Sequence, residues 1–438
     1  MAVRTARTGA DPATDDAVAD PAGVPTVLVL GTGRRQLCEY ALLAMAEEAL
    51  LVGLDTQLPS WQAPYMEDFA TAAPDRAPLL AAARDLARRH RVAGVVVCDE
   101  RLAEPAAELA EELGLSGPGA AAVRTVQDRW ATRALLNDAG VGVRRARLVS
   151  GVAEAERAAA ELGLPVVLTA RHPRPGAEPV RAETSADVER AFLAAVGDFA
   201  RQSGRPGGVL VETALDGPEF TLCCTVEEGR VRTWYAAGRE RGRQYLVDAT
   251  VDEPASGLAG FARRAHAALG IRHGVTHLDV QLAADGPVVL RAGCWLAGDL
   301  IPLAGCLATG VDLAAAGLRL ALGRPARERV EYRRAAGIRL VLPADPAAAD
   351  PGPARVVARP NATVVIRTVP CDEAENLLPA GELAGVALLA AGAADGPGGR
   401  AAPDAAEEGS VARPTTSAPA PVAVPTLVPV PALVPVFG

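Results

Sequence analysis

The chain carries 44 basic residues, and every one is arginine; there is no lysine. No side chain can therefore form a Schiff base or set a compact ammonium on a phosphate. Anions must be met by planar guanidinium forks. Histidine is scarce, at five residues. His277 and Asp279 stand two apart, which places them on one face of a strand. With His273 they outline a metal cluster, but a zinc site needs further Cys or His ligands and none stands nearby in sequence. The seven cysteines (Cys38, Cys98, Cys223, Cys224, Cys294, Cys306 and Cys371) are odd in number, scattered, and form no CxxC pair. They read as small core residues of a reducing compartment. No GxSxG nucleophile elbow is present.

The elements that must position these groups alternate between strand and helix. Residues 26–33 (TVLVLGTG) form an apolar run into a glycine turn, followed by a helix over 34–49. Residues 50–55 (LLVGLD) read as a second strand ending in an acid, 77–90 as an Ala/Leu helix and 92–98 as a third strand. That order predicts an α/β fold beginning with a parallel, Rossmann-like sheet. The GTG turn lacks the full GxGxxG spacing of a dinucleotide site, so a structural turn fits it better. Hydrophobic residues make up 50% of the 438-residue chain but aromatics only 3%, so Ala, Val and Leu must fill the core. A net charge of −9 argues against nucleic acid as a partner. With no signal-peptide pattern and no run of ~18 apolar residues, the expectation is a soluble, cytoplasmic chain with no membrane partner. Residues 1–24, rich in Ala, Asp and Pro, and 395–438, rich in Gly, Ala and Pro, are expected to be disordered. The second ends in a Pro-Val repeat, read as an extended tail or a docking peptide.

Between these ends, a series of segments resembles the ATP-grasp superfamily, in particular its carboxylate–amine ligase and biotin-carboxylase-like members. SGPG at 116–119 is similar to the join into the nucleotide-binding domain. Asp128-Arg129 with the helix up to Gly140 is similar to the family's Asp-Lys helix. GLPVVL at 163–168, VLVE at 209–212 and LDGPEF at 215–220 resemble the strand before the phosphate-contacting Lys, the hinge strand and the following G-x-E. GVTHLD at 274–279 and GPVVL at 286–290 resemble the paired metal-site strands, followed by GDLIP at 298–302. GVD at 310–312 and ALG at 321–323 resemble the closing helix, and AAGIR at 335–339 the start of the last subdomain. The resemblance implies a pre-ATP-grasp Rossmann-like domain over 25–118, an ATP-grasp domain over 119–325 and a small C-terminal α+β subdomain over 326–394.

The resemblance also implies chemistry: an ATP-dependent ligase that activates a carboxylate as an acylphosphate, with ATP and magnesium as cofactors. The substrate would be a small carboxylate or amino acid. Dimers are common among similar proteins, which suggests a homodimer. Mapped onto the family pattern, Arg129 takes the place of the first phosphate lysine and Thr169 of the second. Arg171 opens the covering loop, where three prolines each remove an N–H that the family's Gly-rich loop would offer. The loop arginines could meet an anion through their side chains, or form a solvated basic loop. Glu212 and Glu219 match positions that hold adenine and ribose; either could equally be a polar strand end. Glu100 matches an acid near the substrate, and also suits a helix N-terminus. Asp279 matches the first magnesium ligand. Where the second strand should read E-x-N, it reads Arg291-Ala292-Gly293. Arg291 is therefore expected to pair with Asp279 and fill the place of the metal. These departures imply a repurposed or non-catalytic ligase homologue; the alternative is an active ligase with an arginine-based nucleotide site.

Overall fold

A computed structural model of the chain describes residues 23–33, 35–58, 61–175, 177–197, 207–240, 244–248, 257–298, 300–331, 336–341, 355–359, 362–368 and 385–391. The segments expected to be disordered, up to residue 22 and from 395 onward, lie outside the described residues. The first unit alternates β1 (Thr26–Leu30), α1 (Arg35–Ala46), β2 (Leu50–Asp55), β3 (Asp68–Thr71), α2 (Arg76–His90), β4 (Gly94–Val97) and α3 (Ala103–Glu112). Its four strands pair in parallel in the order β3-β2-β1-β4. Strand side chains alternate between faces, which sorts the apolar run of β1 into two cores. Leu28 and Leu30 pack with Leu79, Leu86 and Leu109 of α2 and α3. Val27 and Val29 pack with Ala41, Leu42 and Met45 of α1 on the other side.

The GTG turn is structural. Gly31 and Gly33 both have positive φ (65° and 68°), and a Cβ on Gly33 would meet the Cys38 Sγ at 2.5 Å. The acid closing β2 serves the same turn: Thr32 donates to Asp55 Oδ2 from its backbone N (2.9 Å) and its hydroxyl (3.0 Å).

The chain continues through α4 (Ala120–Gln127) and α5 (Arg129–Asp138) into a second layer: β5 (Ala146–Val149), α6 (Val152–Leu162), β6 (Val166–Ala170), β7 (Val180–Ala182), α7 (Ser185–Gly197) and β8 (Val209–Thr213). These strands form an antiparallel sheet in the order β5-β8-β6-β7, with α6 and α7 on one face. The third layer is built from β9 (Glu219–Glu227), β10 (Arg230–Glu240), β11 (Gln244–Asp248), α8 (Leu258–Ala268), β12 (Gly274–Ala283), β13 (Gly286–Gly293), α9 (Ile301–Thr309) and α10 (Leu313–Ala321). The C-terminal strands β14 (Ala336–Val341), β15 (Arg355–Arg359), β16 (Ala362–Thr368) and β17 (Gly385–Ala391) add to the same sheet through β11–β14 pairing. The result is a nine-stranded antiparallel sheet. Its one face packs on α4 and α8 and its other on α9 and α10.

Among the described residues no single helix is long and apolar enough to cross a membrane; α9 and α10 pass that test only together, and they meet at 106°. No disulfide joins the six described cysteines, and Cys371 lies outside the described residues.

Candidate functional site

A cleft of about 760 Å³ opens between the three sheets, beyond the carboxyl ends of β1 and β4. Ligand sites of α/β proteins commonly lie at this edge. Of the residues singled out in the sequence, Glu100, Arg129, Thr169, Glu212, Glu219, Asp279 and Arg291 line it together. Arg171 is the exception. Asp128 caps α5 by accepting from the backbone N of Trp130 and Ala131, and Arg171 closes on that same carboxylate through Nε (2.9 Å) and Nη2 (2.7 Å). Its fork joins the loop to the helix cap.

On β12 and β13, Asp279 and Arg291 are direct cross-strand partners in an antiparallel ladder, which puts their side chains on one face. Arg291 Nε donates to Asp279 Oδ2 at 2.8 Å, and Thr221 Oγ1 of β9 donates to Oδ1 at 2.8 Å. Burial pushes the Asp279 carboxyl up, but Arg291, His277 and Thr221 outweigh it and hold its pKa below the ordinary aspartate range. Two residues back, His277 faces Gly293 across the ladder. A Cβ on Gly293 would lie 2.2 Å from His277 Cε1, so the imidazole occupies the space a side chain at 293 would need. The His277 Nδ1 donates to the Trp295 carbonyl at 3.1 Å, which fixes the proton on Nδ1, and burial lowers its pKa to about 4. His273 lies elsewhere, on the Leu320 carbonyl at 2.9 Å. Among the described residues no cluster of three or more His, Cys, Asp or Glu could hold a metal.

The opposite end is closed by Glu212 of β8. Arg133 Nε donates to its Oε1 at 2.8 Å and Arg144 Nη1 to its Oε2 at 3.1 Å. The three side chains are only 3%, 4% and 10% exposed for Arg133, Arg144 and Glu212. Burial alone would raise the Glu212 pKa, yet the two arginines lower it overall. Neither arginine was assigned a role from the sequence. Arg133 does leave a signal, because it stands on the buried face of α5 with Thr132 and Leu136.

Between the ends, Arg129 reaches from the start of α5 to the Leu290 carbonyl at 2.7 Å. Burial, with Arg291 nearby, lowers its pKa to about 10. Glu100 sits across from it, and burial raises its pKa against the pull of Arg291 and Arg129. Thr169 of β6 adds an uncharged hydroxyl to the wall. At the rim, Arg239 of β10 donates to Glu178 of the proline-rich loop (2.9 Å) and to Glu219 (3.5 Å). The loop is thus tied to the central sheet by an ion pair that the sequence reading missed.

No family model matches the chain. One curated relative, the uncharacterized protein y4rH of Sinorhizobium fredii, is 28% identical over 309 residues, covering 66% of this chain and 63% of that protein. The chain thus matches less than two thirds of that relative's length. Solved structures align over more of it. The L-amino acid ligase of Bacillus licheniformis superposes with a TM-score of 0.67 at 18% identity, covering 84% of this chain and 94% of that one. The biotin carboxylase domain of 2-oxoglutarate carboxylase from Hydrogenobacter thermophilus, solved with magnesium ADP, ADP and bicarbonate, gives 0.66 at 17% identity, with coverage of 84% and 86%. The N5-carboxyaminoimidazole ribonucleotide synthetase of Thermus thermophilus gives 0.63 at 19%, with coverage of 83% and 93%. At these identities the likeness establishes the fold, and the fold is ATP-grasp.

Proposed function

We propose that this ATP-grasp chain binds a small carboxylate, of the amino-acid class, in its central cleft without phosphoryl transfer, as a repurposed relative of carboxylate–amine ligases. One observation carries the reading: the Asp279 carboxylate, which should take magnesium, is held by Arg291 at 2.8 Å and by Thr221 at 2.8 Å. Magnesium demands hard oxygen donors in near-octahedral array. Across the ladder from Asp279 stand a guanidinium and, beyond it, a glycine whose side-chain space is filled by the His277 ring. This donor set does not fit the ion. A triphosphate fits no better, since its cations and loop N–H groups reduce to Arg129, Thr169 and a proline-rich segment. Each such contact at a site of developing charge is worth about 3–4 kcal/mol, so their joint loss is hard to offset.

The small carboxylate is supported by Arg129 and by the two arginines that share Glu212, Arg133 and Arg144, all of which line the cleft. The amino-acid class is supported by the likeness to an L-amino acid ligase. A homodimer is the assembly proposed with it, on the resemblance alone.

The test is ATP hydrolysis by the full chain with magnesium and a panel of amino acids in pairs. The expected result is no turnover above the rate without protein. The alternative, an active ligase with an arginine-based nucleotide site, draws on Arg129, which lines the cleft with a carbonyl but no carboxylate partner among the described residues. Amino-acid-driven hydrolysis that disappears in Asp279→Ala would establish that alternative instead.

A further inference from the structure

The closed end of the cleft has two guanidinium groups for one carboxylate. Arg133, Arg144 and Glu212 are together buried, so one positive charge is left over in a low-dielectric setting. An uncompensated buried charge is strongly unfavourable and calls for a counter-ion. The two arginines are not equally engaged. Arg133 engages all three guanidinium nitrogens, with Nε on Glu212, Nη1 toward the Gly142 carbonyl (3.5 Å) and Nη2 on the Val289 carbonyl (2.6 Å). Arg144 uses Nε on the Thr213 carbonyl (2.8 Å) and Nη1 on Glu212 (3.1 Å). Its Nη2 makes no hydrogen bond among the described residues, and the side chain, although 4% exposed, lines the cleft. Arg129, on the same wall, lies near enough to Glu212 to feel its charge.

Adenine would ask something different of this end. Its exocyclic amine needs an acceptor. Here each oxygen of Glu212 already accepts from an arginine, which sets two guanidinium groups against the carboxylate that the amine would need.

We propose that the closed end of the cleft is an oxyanion subsite, where Arg144 Nη2 and Arg129 hold a carboxylate or phosphate group, and that it does not take an adenine base. The subsite deepens, and rests on, the reading of the cleft as a small-anion site. It places the anion where a nucleotide-binding relative would place its base, beside Glu212 and within reach of Arg129.

Calorimetric titration of the full chain tests this, with succinate and inorganic phosphate as oxyanion probes and adenosine as the base probe. At least one oxyanion is expected to bind with one-to-one stoichiometry, and added salt to weaken it. Whichever probe binds identifies the group as carboxylate or phosphate. Adenosine is expected neither to bind nor to compete. Arg144→Gln should weaken the oxyanion about tenfold or more, the loss of one charge-assisted contact, and Arg144→Lys should restore part of it. Should Arg144→Gln fail to fold, Arg129→Gln gives the same reading through the same loss of affinity. The subsite is overturned if adenosine binds, if neither oxyanion binds, or if the folded variants bind the oxyanion as tightly as the parent chain. Its failure is separable from that of the function above. Magnesium-dependent ATP turnover with adenosine still excluded would sink the non-catalytic reading and leave the subsite; adenosine binding without turnover would do the reverse.

Discussion

At each end of the cleft a carboxylate meets arginine, and the two ends differ in burial and in count. Around Glu212 the side chains of Arg133 and Arg144 are 3% and 4% exposed. Around Asp279, the carboxylate and Arg291 are 24% and 34% exposed, and the pairing is one to one. Desolvation makes the first arrangement costly to break, because any lost partner strands a charge away from water. The second sits where water can screen it and replace a lost partner. The closed end is thus a fixed, charged floor that supports the fold and leaves a surplus cation. The β12–β13 end is a neutralised pair, and in the proposed function it stands where a metal would be held.

The largest effect expected from this comparison is at Glu212. Glu212→Gln strands two buried guanidinium groups and should destabilise the chain by about 3–5 kcal/mol, read by denaturant unfolding. A loss no greater than that of Asp279→Asn would break the contrast between the ends. Next is Gly293→Ala, whose Cβ would lie 2.2 Å from His277 Cε1. Overpacking of this kind costs about 1–3 kcal/mol. His277→Ala in the same chain should recover much of it, and simple additivity of the two would remove the claim that the imidazole fills that space.

Asp279→Asn is expected to cost only about 1 kcal/mol at pH 7, as befits a partly exposed pair. Its pH dependence sharpens the point. The folded Asp279 pKa lies below the unfolded value, so the stabilisation is present above the unfolded pKa near 4. It is lost as pH falls through the lower folded value. The variant should therefore differ from the parent at neutral pH and converge with it in acid, as followed by thermal unfolding across pH. The smallest effect has the opposite sign. The Glu100 pKa is raised in the folded state, so its ionisation opposes folding as pH rises through the unfolded value. Glu100→Gln should raise the melting temperature slightly at pH 7, with no gain below pH 4.

How much of this was legible in the sequence follows from range. The parallel sheet was legible because its signal is local: VLVL at 27–30 is apolar at every position, and each of those residues is fully buried. The Asp279–Arg291 pair was legible because antiparallel register links residues only 12 apart in sequence. Glu212 was found by resemblance, but its partners lie 79 and 68 residues away. No periodicity reaches that far, and the expected adenine-holding role gave no hint of two buried arginines. The Arg171–Asp128 contact was hidden for a related reason, since a basic loop reads the same whether its arginine meets a ligand or a helix cap. The pairing of β14 with β11, which joins the C-terminal strands to the central sheet, was not legible, because it is set by partner choice rather than by strand pattern.

The central claim, that the Asp279–Arg291 pair stands in place of magnesium and leaves a cleft without nucleotide chemistry, is tested most directly by calorimetric titration of the full chain with ATP, with and without magnesium. The account predicts no magnesium-dependent heat of ATP binding, in the parent chain and in Asp279→Ala alike. ATP affinity that appears only with magnesium and is abolished by Asp279→Ala would contradict it.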